Sequence, residues 1–113
     1  MLDELTRQIV AFRDERDWKQ FHSPKNLAAS ISIEAAELLE CFQWSSDETI
    51  ADDVEKRRHE IEEEIADVVI YALLLAHDTG IDPAEAVQRK LAKNDAKYPA
   101  EKAKGNRAKY TEL

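Results

Sequence analysis

Residues 60–76 read EIEEEIADVVIYALLLA: an acidic half runs into an apolar half, and Asp67 sits just inside the second. From Ile65 to Ala76 the apolar residues occupy nearly every side of a helix that turns about 100° per residue. One layer of a helical bundle cannot cover such a helix, so the pattern predicts that a second copy of the chain does. A carboxylate at the edge of that buried surface requires a reason.

The rest of the chain agrees with helix throughout. Glycine occurs twice and proline three times in 113 residues, and no stretch alternates with the period of a strand for more than a few positions. The fold class expected is all-α. Leu2, Leu5, Ile9 and Phe12 recur at helical spacing and predict a first helix ending near Arg16, followed by a connector from Trp18 to His22. Ser23 and Pro24 read as an N-cap and first helical position, and Leu27, Ile31, Ala35, Leu38 and Phe42 form the stripe of a second helix ending near Trp44. After the loop SSDET at 45–49, a third helix is expected from about Asp52 to Thr79, stopping at Gly80. Asp82, Pro83 and Glu85 supply a cap, a first position and a capping-box acid for a fourth helix, which ends near Asp95. Four helices with short connections predict a bundle within one domain, 1–113, whose residues 96–113 form a basic tail.

Composition excludes several classes. The single Cys41 rules out an intramolecular disulfide, a cysteine zinc cluster and a thioredoxin-type pair, and reads as a small structural thiol in an intracellular chain. The longest apolar run falls short of the roughly 18 residues of a membrane span, and no signal peptide is apparent, so the expectation is a cytoplasmic protein with no membrane partner. The net charge is −8, unevenly spread: residues 1–87 hold 8 basic and 21 acidic side chains, residues 88–110 hold 8 basic and 2 acidic. The acidic part repels a phosphate backbone, which argues against long nucleic acid. A small phosphorylated ligand bound through metal ions remains compatible.

Glu34 and Glu37 are three apart on the second helix, as are Glu64 and Asp67 on the third, so each pair projects from one side of its helix. No Lys or Arg occurs from Asn26 to Trp44 or from His59 to Gln88, which removes intrahelical salt bridges to all four acids. Such a cluster either protonates or binds a hard cation, and oxygen ligands suit Mg²⁺, or Mn²⁺, better than zinc. Glu63 is near enough to assist, while Glu40, Glu60 and Glu62 read as solvated. Acids with Mg²⁺ point to phosphate chemistry, with hydrolysis of a nucleoside triphosphate as the leading candidate and one carboxylate taking the proton of the attacking water. Trp18, Phe21, His22 and Trp44 can stack on a base or pack in the core. Lys90, Lys93 and Lys97 can line one helical face toward phosphate, or be solvated.

These residues resemble a known family. EAAE at 34–37 with EIAD at 64–67 resembles the paired metal motif of the MazG-like all-α nucleoside triphosphate pyrophosphohydrolases. RDWKQFHSPKNL at 16–27, EAAELLECFQW at 34–44, EIADVVIYALLLA at 64–76 and KYTEL at 109–113 resemble its dCTP pyrophosphatase branch. The resemblance implies a four-helix-bundle-like MazG-type fold assembled as a homo-oligomer, a tetramer or dimer, with active sites shared between subunits. It implies cleavage between the α and β phosphates to a nucleoside monophosphate and pyrophosphate, with Mg²⁺ on Glu34, Glu37, Glu64 and Asp67. Trp18, His22 and Trp44 match positions around the base; Tyr71, Lys90 and Asn94 match positions near the sugar and phosphates. Ile9 stands where a near relative has a histidine, which bears on base preference. The alternatives are a triphosphatase of broader specificity and a non-catalytic helical module that binds metal or a protein partner.

Overall fold

The computed structural model describes residues 2–112, all of whose regular elements are helical. Six α-helices follow in order: α1 (Leu2–Glu15), α2 (Pro24–Glu40), α3 (Ile50–Lys56), α4 (Arg58–Asp78), α5 (Pro83–Lys97) and α6 (Ala100–Ala103), with 3-10 turns at Lys19–Phe21 and Tyr110–Glu112. The backbone divides into two compact units, Met1–Gly80 and Ile81–Leu113.

In the first unit, α2 packs along α4, and α1 and α3 also lie against α4. The helix starts follow the sequence. Ser23 accepts a hydrogen bond from the Asn26 amide at 3.1 Å, with Pro24 in the first position. α4 closes at Thr79, and Gly80 takes φ 71°, a left-handed conformation that a side chain would strain. The core is small: Leu27, Leu73 and Leu74 are buried, and Cys41, at the C-terminal end of α2, is buried as well. Each such leucine contributes about 1.5–3 kcal/mol of transfer free energy. A charged residue, Arg13, is equally buried at 2% exposure.

Two expectations need correction. The expected helix from Asp52 to Thr79 is two helices, because Arg57 leaves helical geometry at φ −109°, ψ 17° and ends α3 before α4 begins. The second helix stops at Glu40 rather than near Trp44, and residues 41–44 continue as turns. Phe12 is 52% exposed and Ile65 48% exposed, with Leu5 and Val69 also exposed, so this unit leaves apolar faces of α1 and α4 uncovered.

In the second unit, Asp82 caps α5 by accepting from the Ala84 and Glu85 amides at 3.0 and 3.2 Å. The Glu85 side chain pairs with Arg89 one turn on instead of closing a capping box. α5 extends to Lys97, and part of the expected tail forms α6.

Candidate active site

The packing of α2 on α4 brings together carboxylates that are distant in sequence. Glu34, Glu37 and Glu64 each offer an oxygen, and these atoms lie within 4.8 Å of one another. Glu34 and Glu64 are half-buried, and the Oε2 atom of each is buried with no hydrogen-bond partner. Burial pushes the Glu34 carboxyl up to about 7; its contact with Glu37 and the charges of Glu37, Asp67 and Glu64 add to the shift. The Glu64 carboxyl is raised by burial and then by Glu37. Like charges held this close with orphaned oxygens are the donor set of a hard divalent cation, and these residues could hold one.

Asp67 lies one turn along α4 from Glu64. It is not among the three converging acids, but its charge reaches both Glu34 and Glu64. Instead it borders a cleft of about 280 Å³. Ile9, Phe12 and Arg13 of α1 line it on one side, Asp67, Ile70, Tyr71 and Leu74 of α4 on another, and Trp18 and His22 complete the lining. The last two arrive through a sharp reversal after α1. Asp17 takes φ 54°, a left-handed conformation that aspartate tolerates, and Gln20 Nε2 donates to both its carbonyl and its carboxylate, at 2.9 and 3.1 Å.

Aromatic contacts fix the rings. The Trp18 ring meets Phe12 edge-on at 5.9 Å between centroids, and the Arg16 guanidinium lies 3.6 Å from the Phe12 centroid. His22 meets Tyr71 edge-on at 6.3 Å. Burial, then the Arg13 charge, lowers the His22 pKa below its usual value, so the ring is neutral at neutral pH; its Nδ1 is buried without a partner. Burial and the nearby Glu34, Asp67 and Glu37 carboxylates raise the Tyr71 hydroxyl, which stays protonated.

The remaining candidates fall elsewhere. Trp44 is 86% exposed and lies outside the cleft, in a depression with Ser45, Asp53 and Arg57. Glu63 is exposed, its Oε1 2.9 Å from His59 Nε2, and lines an acidic depression together with Glu37, Glu60 and Glu64. Lys90 and Asn94 belong to α5 of the second unit, one turn apart.

The sequence reading missed an ion pair at the cleft wall, where Arg13 is bound to Asp78. Arg13 Nη1 and Nη2 donate to Asp78 Oδ2 and Oδ1 at 2.7 and 2.9 Å. The signal was present: Arg13 follows Ile9 by four and Asp78 follows Leu74 by four, which puts a cation and an anion on two apolar stripes.

Comparisons with known proteins agree with this geometry. The model of the MazG-like family matches residues 29–113, a span that contains all four motif carboxylates. The dCTP pyrophosphatase 1 of Mus musculus is 39% identical over 114 residues, covering 99% of this chain and 67% of that protein. The Homo sapiens dCTP pyrophosphatase 1 is similar to the same extent, 39% over 114 residues and the same shares of both chains. A crystal structure of a pyrophosphatase from Archaeoglobus fulgidus superposes with a TM-score of 0.83 at 54% identity, covering 86% of this chain and 91% of that one. An all-α chain with carboxylates converging from two helices beside an aromatic cleft, matched by these relatives over nearly its whole length, belongs to the MazG-like family, in its dCTP pyrophosphatase branch.

Proposed function

We propose that this protein is a Mg²⁺-dependent nucleoside triphosphate pyrophosphohydrolase that cleaves dCTP, or a related pyrimidine deoxynucleotide, to the monophosphate and pyrophosphate. The observation that carries the reading is the convergence of Glu34, Glu37 and Glu64, two of them with orphaned buried oxygens, next to a cleft walled by aromatic side chains.

Glu34, Glu37, Glu64 and Asp67 are assigned to hold the metal. When bound, Mg²⁺ supplies Lewis-acid polarisation of the phosphate oxygens and charge neutralisation. Water adds its oxygen to phosphorus, the anhydride bond between the α and β phosphates breaks, and pyrophosphate leaves with the electron pair. A carboxylate of the acidic set takes the water's proton, and Glu63, adjacent to Glu64, is assigned to assist. Trp18 and His22 enclose the base, where Trp18 stacks and the neutral His22 ring offers a hydrogen-bonding nitrogen. Tyr71, Lys90 and Asn94 are assigned to the sugar and phosphates.

The uncovered faces of α1 and α4 support assembly as a homo-oligomer, with Trp44 serving the cleft of a neighbouring copy. The deciding experiment is pyrophosphate release from a panel of ribo- and deoxynucleoside triphosphates, with Mg²⁺ and with EDTA. Metal-dependent release favouring dCTP is expected. Release without base preference moves the substrate to a broader triphosphate set, and no release from any triphosphate refutes the reading.

A further inference from the structure

The Arg13–Asp78 pair takes no part in the chemistry above, yet Arg13 is part of the wall of the base cleft. Asp78 is the last residue of α4, and Arg13 is in the last turn of α1, so the pair ties the ends of both helices together across 65 positions of sequence. Arg13 also organises the reversal through its backbone. Its carbonyl accepts from the amides of both Arg16 and Trp18 at 3.2 Å, on either side of the left-handed Asp17. The side chain that grips α4 therefore belongs to the residue from which Trp18 hangs, and His22 follows four residues later against Tyr71 of α4.

A buried ion pair is a weak source of net stability, because desolvation of both charges offsets their attraction. What a bidentate guanidinium–carboxylate contact does supply is one fixed geometry, which apolar side chains sliding past each other do not. Here that geometry is the separation of α1 from α4 at the cleft that Arg13, Trp18 and His22 line together.

We propose that Arg13 and Asp78 are a positioning pair that sets the width of the cleft and the placement of Trp18 and His22, and so determines selectivity for the base. The inference rests on the nucleotide reading above and goes beyond it to residues that touch neither metal nor phosphate.

The test replaces the pair by apolar side chains, Arg13→Leu with Asp78→Leu, and also makes Arg13→Lys, which keeps the charge and loses the two-pronged contact. Thermal melting, Mn²⁺ affinity, and kcat and KM for dCTP and dATP are measured. In the double variant, melting and Mn²⁺ affinity are retained, KM for dCTP rises about tenfold or more, and preference for dCTP over dATP collapses. Arg13→Lys moves the same quantities in the same direction by less, and carries the test alone if the double variant does not melt cooperatively. An unchanged KM and preference overturn the proposal, as does a loss of kcat in step with Mn²⁺ affinity, which would make the pair a support of the fold only. A parent protein that hydrolyses every triphosphate alike overturns it too while leaving the hydrolase reading intact. A parent that releases no pyrophosphate instead refutes that reading itself.

Discussion

Glu34 on α2 and Glu64 on α4, thirty positions apart, face each other across the helix contact with one buried, unpartnered oxygen each. A fold that ended there would hold repelling charges at the border of its core. Burial first and that repulsion second raise the carboxyl pKa values, and a divalent cation would offset both.

Metal binding should therefore compete with protons near neutrality. With the Glu34 carboxyl raised to about 7 in the metal-free protein, Mn²⁺ affinity should fall about tenfold per pH unit below that point, and binding should release about half a proton at pH 7, approaching one at lower pH. Calorimetry in buffers of different ionisation enthalpy measures the proton count. Affinity independent of pH across that range would contradict the assignment.

Glu34→Gln should separate stability from activity. A carboxyl whose folded pKa lies above its unfolded value destabilises the fold as pH rises from the ordinary glutamate range through about 7. Removing that charge should raise the melting temperature of the metal-free protein at alkaline pH, by on the order of 1 kcal/mol in stability after allowance for solvent screening. Pyrophosphate release should drop by about a hundredfold or more, and the stabilisation that added Mn²⁺ gives the parent should shrink. A melting point that falls instead would mean that Glu34 is held by partners other than its acidic neighbours.

Arg13→Leu alone should destabilise the protein by about 3–5 kcal/mol, because it leaves Asp78 buried without a counter-charge. The Arg13 guanidinium holds the Asp78 carboxyl below its usual range, so the pair's contribution is present above the ordinary aspartate pKa and is lost as pH falls through the depressed one. Urea unfolding of parent and variant from acid to neutral pH should show the gap narrowing toward the acid end.

Much of this site was legible from local pattern. Ser23, Asp82 and Gly80 announced helix ends because capping is decided within a few residues. Glu34, Glu37 and Glu64 stood out because the three-residue spacing and the missing Lys and Arg are both readable along one strand of text, whereas the departure of Asp67 from the converging three depends on how α2 and α4 pack. The break at Arg57 had no proline or glycine to mark it, since Lys56, Arg57 and Arg58 all favour helix. The Arg13–Asp78 contact joins positions 65 apart, and only the packing of α1 on α4 selects that partner among the 24 acids of the chain.

His22 should remain neutral to lower pH than an ordinary histidine. Burial and the Arg13 charge lower its pKa, so its contribution to stability is present above the ordinary value and is lost as pH falls through the lowered one. Titration of the imidazole resonances by NMR should place the His22 midpoint below that of an ordinary histidine. Replacing Arg13 by leucine together with Asp78 should move the His22 midpoint slightly upward, since the Arg13 charge that lowers it outweighs the Asp78 charge that raises it.

Trp44 offers a test of whether active sites are shared between copies. Its ring is 86% exposed and away from its own cleft, while Trp18 is in the cleft. If Trp44 closes the base site of a neighbour, Trp44→Ala should raise KM by about 5- to 150-fold, the range expected for loss of one base–aromatic stack, without changing Mn²⁺ affinity. Glu64→Gln should abolish turnover in its own copy alone. Mixed oligomers formed by refolding the two variants together should then contain sites that pair an intact Trp44 with an intact Glu64, and activity at low dCTP should exceed the sum of the separate preparations. Activity equal to that sum would assign both residues to the same copy's site, and a monomer by sizing would remove the shared site altogether.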